Sequence, residues 1–255
     1  VGTPVDIYDP PDSYLSARPN LTDWRKPAPP PALEGLRARF GSERLMTVTT
    51  DICVLDARRL LLFAYLTPEA GGKHITVCLA SNDVGRTWQH RATPGAWEDR
   101  LATENFLQHP ANGLCEPSAA RLPEGELLLV MRLGSRHPLY ASHSSDDGHT
   151  WTSPRPLSVW GILPTVLHIE DALLALASGR PHVTFSMSFD RGYRWPLTHR
   201  FLEDGKSEDP STRNNAMIRV APRRLLYMYD MGGYHALPSA FQGERRIVGH
   251  FIDID

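Results

Sequence analysis

The chain has 255 residues, 41% of them hydrophobic and 22% charged, with a formal net charge of −2. That is enough material for one large all-β domain or two ordinary ones. The charge balance argues against a nucleic-acid or anionic-membrane binder, which normally carries a basic excess. No apolar run approaches the ~18 residues that a membrane-spanning helix needs.

Residues 1–44 are rich in proline, most clearly at Pro27-Ala28-Pro29-Pro30-Pro31. Proline withholds a ladder donor and favours extended polyproline geometry. The segment therefore reads as a connector packing on, or leading into, a domain over residues 45–255. Within it, residues 5–8 suit an outer strand that pairs with the chain's end, and residues 36–44 a helical turn. The amino end, VGTPVDIYDPPD, has neither the charged nor the apolar stretch of a secretory leader.

From residue 45 the rhythm becomes regular. Strands are expected at 46–55, 59–66, 74–80 and 89–92, then an unpatterned insertion at 96–113. Three strands follow at 116–122, 126–132 and 139–143, and three more at 162–169, 172–178 and 183–188. Residues 216–221 and 224–229 begin a last unit, and 247–254 gives a final strand. These runs are rich in Val, Ile, Leu, Phe and Tyr, and Gly, Pro, Asp and Arg bound them, as strand chemistry requires.

One turn recurs between them. The pattern S-x-D-x-G-x-x-W occurs at Ser81–Trp88, Ser144–Trp151 and Ser188–Trp195. A single copy means little, but three copies between strands are an internal repeat. Units of about 40–50 residues with four antiparallel strands have the size of propeller blades. The turn reads as structural: its Asp accepts backbone N–H bonds, its Gly takes a positive φ, and its Trp wedges between sheets.

Blade geometry then sorts the polar residues. In an up-down-up-down sheet the start of the first strand and the end of the second lie at one rim, opposite the Asp-containing turns. Asp51, Glu116, Arg132, Arg180, Arg213, Asn214, Asn215 and Asp230 fall at such positions, with Tyr229 beside them. A set with several arginines suits a small anionic ligand, because the planar guanidinium bonds a carboxylate at two points. The cysteines (Cys53, Cys78, Cys115) fall in strand-like segments and read as small buried hydrophobes. Eleven histidines are scattered without ligand spacing, so no metal is expected. No nucleotide-binding glycine motif indicates a cofactor.

In these features the sequence resembles the sialidase (neuraminidase) superfamily, six-bladed β-propellers with Asp-box repeats. The three turns match the Asp box. Glu116-Pro117-Ser118 opens a blade and Val130-Met131-Arg132 closes its second strand, and Arg180 stands where the family places another arginine. Thr50-Asp51 looks like the family's Ser-Asp-Pro blade start. The resemblance covers roughly residues 45–255 and implies an all-β, sialidase-like propeller, with about four clear blades and an irregular amino-terminal segment.

It further implies an exo-glycosidase acting on acidic, sialic-acid-like glycosides. Glu116 and Asp51 would belong to the catalytic set. Arg132 and Arg180 would grip the substrate carboxylate; from their rim positions rather than from the resemblance, Arg213, Asn215 and Tyr229 are expected to line the substrate pocket. The family's tyrosine nucleophile, which a glutamate activates, has no counterpart where this chain carries Arg213-Asn214-Asn215. The alternative is therefore a non-catalytic glycan-binding propeller; a protein-interaction scaffold is a weaker third reading.

Overall fold

A computed structural model describes residues 5–8, 36, 38–41, 45–46, 52–68, 72–96, 98, 111–202, 214–231 and 246–254. Their strands form four antiparallel sheets, each built around a hairpin meander. β1 (Val5–Tyr8) precedes them in the chain. Blade I contains β2 (Leu45–Met46), β3 (Cys53–Val54), β4 (Leu60–Leu66), β5 (Ile75–Ser81) and β6 (Gln89–Gly95). Blade II runs β7 (Cys115–Arg121), β8 (Leu127–Arg132), β9 (Pro138–Ser144), β10 (Arg155–Trp160). Blade III runs β11 (Thr165–Glu170), β12 (Leu173–Ser178), β13 (Val183–Ser188), β14 (Leu197–Leu202). Blade IV runs β15 (Asn215–Ala221), β16 (Arg224–Met231), β17 (Arg246–Asp253), and β1 completes it.

The first strand thus becomes the outer strand of the last blade, with Val5 opposite Gly249 and Asp6 opposite Val248. Helical backbone at 36 and 38–40 brings Leu36, fully buried, against Ala64, Leu66, Val77 and Leu79 of blade I. Of the expected strand at 46–55, the described residues include β2 and β3, both paired to β4, and residues 47–51 lie outside the described residues. The third blade begins at Thr165 rather than 162, because Leu163 takes a left-handed φ of 45°. The sequence reading missed β10 and β14, whose residues are largely exposed. An outer strand covers little core, so it carries little of the apolar alternation that marks a strand.

The blades stack through apolar faces. Leu61, Phe63 and Cys78 of blade I meet Ala119, Leu129 and Tyr140 of blade II. Leu128, Val130 and Ala141 of blade II meet Val166, Leu174 and Leu176 of blade III. Phe185 and Met187 of blade III meet Tyr227, Tyr229 and Val248 of blade IV. Burial at ~25 cal/mol per Å² makes these faces the main attraction between sheets. Hydrogen bonds fix their offset: Thr76 Oγ1 donates to the Leu114 carbonyl (3.0 Å), the Val166 amide to Ser118 Oγ (3.0 Å), and the Tyr227 hydroxyl to the Ser178 carbonyl (3.0 Å). All three cysteines are buried free thiols.

Each Asp-containing turn repeats one set of bonds. In the second, the Gly148 amide donates to Ser144 Oγ (3.0 Å), and the Thr150 amide and hydroxyl donate to the two oxygens of Asp146 (2.9 and 2.6 Å). The Trp151 indole N–H donates to the Gly148 carbonyl (3.0 Å), and its ring meets Phe63 of the preceding blade edge to face. These bonds hold the carboxyls of Asp83 and Asp146 down at about 2, the Thr87 and Thr150 donors contributing most. The turns lie at the ends of the third strands, on the face opposite the ends of β8 and β12.

Candidate active site

At the other rim the ends of the second strands come together. Glu116 stands at the start of β7, 8% exposed, with a left-handed φ of 47°. The pairing of β7 with β8 shifts register between Cys115 and Ser118, so Glu116 sits in a bulge. A bulge re-aims a side chain, and a non-glycine residue held at positive φ stores strain of the kind that gathers at functional sites. Cys115 is the direct cross-strand partner of Arg132, which places the carboxylate beside the guanidinium.

Arg132 Nη1 donates a short, charge-assisted hydrogen bond to Glu116 Oε1. Its Nη2 donates to Ser135 Oγ at 2.9 Å. The second carboxylate oxygen accepts the Leu163 amide N–H at 2.8 Å. The left-handed turn at Leu163 aims that amide at Glu116, and Asn215 supports the turn by donating from Nδ2 to the Leu163 (3.1 Å) and Ile162 (3.4 Å) carbonyls. One chain of bonds therefore joins the inner strand starts of blades II, III and IV. Among the described residues, the Asn215 Oδ1 and the Nε atoms of Arg132 and Arg180 are buried with no hydrogen-bond partner.

Arg180 follows the end of β12. Burial pushes its guanidinium below the usual range and the charge of Arg132 pushes the same way, while Glu116 and Asp230 oppose them. Asp230 is set at the end of β16, where its amide donates to the Asn214 carbonyl at 3.1 Å. Glu116, Arg132, Arg180 and Asp230 thus share one electrostatic neighbourhood. Tyr229 points the other way in the alternation of β16. Its hydroxyl pairs with His250 Nε2 at 3.0 Å inside the core between blades III and IV. Asp51 and Arg213 lie outside the described residues.

Two residues that the sequence reading did not select belong to this neighbourhood. Tyr65, near the end of β4, has its phenol pushed up to about 12, first by burial and then by Cys115 and Glu116, with Arg132 opposing. His74 packs edge to face on Tyr65 at 5.3 Å and shares Nδ1 with Thr67 Oγ1 at 2.8 Å. Burial and then Arg132 lower its pKa, with Glu116 opposing. Tyr65 occupies in blade I the place that Arg132 and Arg180 occupy in blades II and III. The rule that selected the arginines, the end of the second strand, selects this tyrosine too. His74 had no such signal: only the approach of Gly113 to its backbone brings it near blade II.

These elements offer two guanidinium groups, a carboxylate with both oxygens engaged, and a phenol that is neutral near pH 7. A model of the BNR repeat-like domain matches residues 20–232. The chain belongs to the BNR repeat-like domain family. Among solved structures, a protein of unknown function from Dyadobacter fermentans is similar at 19% identity and a TM-score of 0.60, over 77% of this chain and 50% of that one. A Hadza microbial sialidase is similar at 17% identity and a TM-score of 0.54, over 77% of this chain and 35% of that one. An α-L-arabinanase from Penicillium chrysogenum is similar at 16% identity and a TM-score of 0.51, over 80% of this chain and 56% of that one. At these identities the likeness is one of fold, that of the sialidase-like propellers. The chain spans half the length of the first of these structures and about a third (35%) of the second. No curated protein matches the sequence.

Proposed function

We propose that this protein binds an acidic sugar at the rim formed by Glu116, Arg132, Arg180 and Asp230, and hydrolyses its glycosidic bond. The observation that carries the reading is the convergence of two half-buried arginines from successive blades, although like charges repel. Arg132 is compensated by its ion pair with Glu116, whereas Arg180 has no ion pair among the described residues and feels Glu116 and Asp230 only at a distance. A ligand carboxylate beside Arg180 would offset that repulsion, since charge-assisted bonds in a desolvated site are worth about 1.5–3 kcal/mol each. Tyr65, close enough to feel both Glu116 and Arg132, is the group available for proton transfer or attack once a base relieves it of its proton. The glycosidase neighbours support this reading through shared fold alone.

The test is release of a fluorophore from aryl sialosides and aryl uronides, with aryl arabinofuranosides as the neutral comparison. Turnover of the acidic substrates, lost in Glu116→Gln, is expected. No turnover on the acidic panel sinks the hydrolytic reading.

A second reading, a non-catalytic glycan binder, is favoured by one observation. Both oxygens of Glu116 are already occupied, by Arg132 and by the Leu163 amide, as befits an orienting anion. It predicts retention of acidic glycans on an array without cleavage, weakened by Arg180→Ala.

A further inference from the structure

Just outside the cluster, between blades II and III, the rim opens into a cleft of about 220 Å³. Trp160, at the end of β10, forms one wall, and Pro181, His182, Thr184, Thr198 and Arg200 form the other. Both walls adjoin residues of the site described above along the chain. Trp160 lies three residues before Leu163, whose amide holds Glu116. Pro181 follows Arg180 in the chain. The walls are pinned together at their base, where Ser178 Oγ donates to the Trp160 carbonyl at 3.0 Å. Gly161 permits this approach: a Cβ there would stand 2.6 Å from the Ser178 side chain.

The chemistry of the lining is that of a sugar site. A serine hydroxyl has one proton, and Ser178 gives it to Trp160, so in its 2.6 Å contact with Thr184 the threonine must be the donor. Thr184 Oγ1 then keeps its lone pairs for an incoming O–H. Thr198, paired with Ser186 at 2.9 Å, adds a second hydroxyl oxygen. Arg200 is exposed, and among the described residues its guanidinium has no ion-pair or hydrogen-bond partner, which leaves its fork of N–H donors to face the cleft. Trp160 is 38% exposed and offers an apolar plate against which the C–H face of a ring stacks. The volume is below the ~300–1,000 Å³ that encloses a drug-sized ligand, which suits one ring rather than a chain.

We propose that this cleft is a second saccharide subsite, taking the sugar unit attached to the acidic one held by the arginines. It rests on the acidic-glycan reading and assigns that ligand a length of at least two units. Trp160 stacks on the second ring, Thr184 accepts from one of its hydroxyls, and Arg200 donates to its oxygens or to a second acidic group.

Calorimetric titration of the full chain with matched pairs tests it: N-acetylneuraminate against sialyllactose, and galacturonate against digalacturonate. In the wild-type protein the longer member of at least one pair is expected to bind roughly tenfold more tightly, about 1.4 kcal/mol. Trp160→Ala and Arg200→Ala should each erase that gain and leave monosaccharide affinity unchanged. Arg200 is exposed, so its variant keeps the fold and decides the matter if Trp160→Ala does not fold. Equal affinity for short and long ligands, or a gain that survives Arg200→Ala, overturns the cleft. Binding of the monosaccharides without any gain leaves the arginine site standing and the cleft refuted. Binding of a longer ligand alone, lost in Arg200→Ala, does the reverse, and binding of none of the four refutes both.

Discussion

The two faces of this propeller are built from the same strands under different rules. On the turn face, blades I, II and III each repeat one device: a serine that accepts a glycine amide, an aspartate that accepts from the residue four ahead, and a tryptophan bonded to the glycine carbonyl. On the rim, the ends of the second strands carry a tyrosine, two arginines and an aspartate. In each of these three blades the chain must turn from the third strand onto the fourth within a few residues, so the turn solution recurs. Nothing in the packing of a blade dictates what its second strand ends on, so those positions are free to differ and to serve a ligand.

Substitutions can break this contrast, and the largest effect on folding should come from the turn face. Gly192 has a φ of +88°, and a Cβ there would stand 2.4 Å from Leu128 of blade II. Gly192→Ala should therefore cost about 3 kcal/mol by combining backbone strain with overpacking. Urea unfolding should show this as a lower midpoint, while glycan affinity of the folded protein stays the same. The converse change is Arg180→Ala at the rim, expected to weaken acidic-glycan binding about 50-fold, of the size typical when a buried charged contact is lost. Its unfolding midpoint should hold or rise, since the repulsion from Arg132 disappears. A fall in stability matching that of Gly192→Ala would mean that Arg180 is structural.

A smaller effect separates the faces by pH. On the turn face His143 is buried, bonds Glu126 at 3.1 Å and stacks on Tyr193; burial holds its pKa below the ordinary value, with Glu126 opposing. The unfolded chain then takes up protons first as pH drops through the mid-6 range, so stability should be complete above it and decline below. His143→Gln should flatten that decline in midpoints measured from pH 7.5 to 5.5. His74, lowered in the same direction at the rim, should instead impose a pH dependence on glycan binding, read by repeating the titrations with His74→Gln. The smallest expected change is a gain. Within the turns, Val84, Asp147 and Arg191 all sit at positive φ (61°, 55° and 62°), a conformation that is hardest on the β-branched side chain. Val84→Asn should raise stability by about 1 kcal/mol with no effect on ligand binding.

Much of the fold was legible because its determinants are local. The three Asp-containing turns mark where third strands end, and the apolar runs of β4, β8, β12 and β16 lie where their composition predicts. The expected pairing of Val5–Tyr8 with the chain's end is present as well. The outer strands β10 and β14 were not legible, since their backbone is held by a neighbour rather than by any burial of their own. In the candidate site, Glu116, Arg132 and Arg180 could be selected from strand ends alone. Tyr65 satisfied the same rule and was passed over, because a tyrosine near the end of an apolar strand reads as core.

The sequence by itself determined the repeat, the antiparallel blades and the rim on which polar strand ends collect, because turn chemistry and side-chain alternation act over a few residues. Only the tertiary structure decided which of those strand ends meet. The left-handed turn at Leu163 gives its amide to Glu116, Asn215 of the fourth blade supports that turn, and Tyr65 and His74 of the first blade come within reach of the same charges. These relations span blades far apart in the chain, and the packing of sheet on sheet sets them, so no local pattern records them.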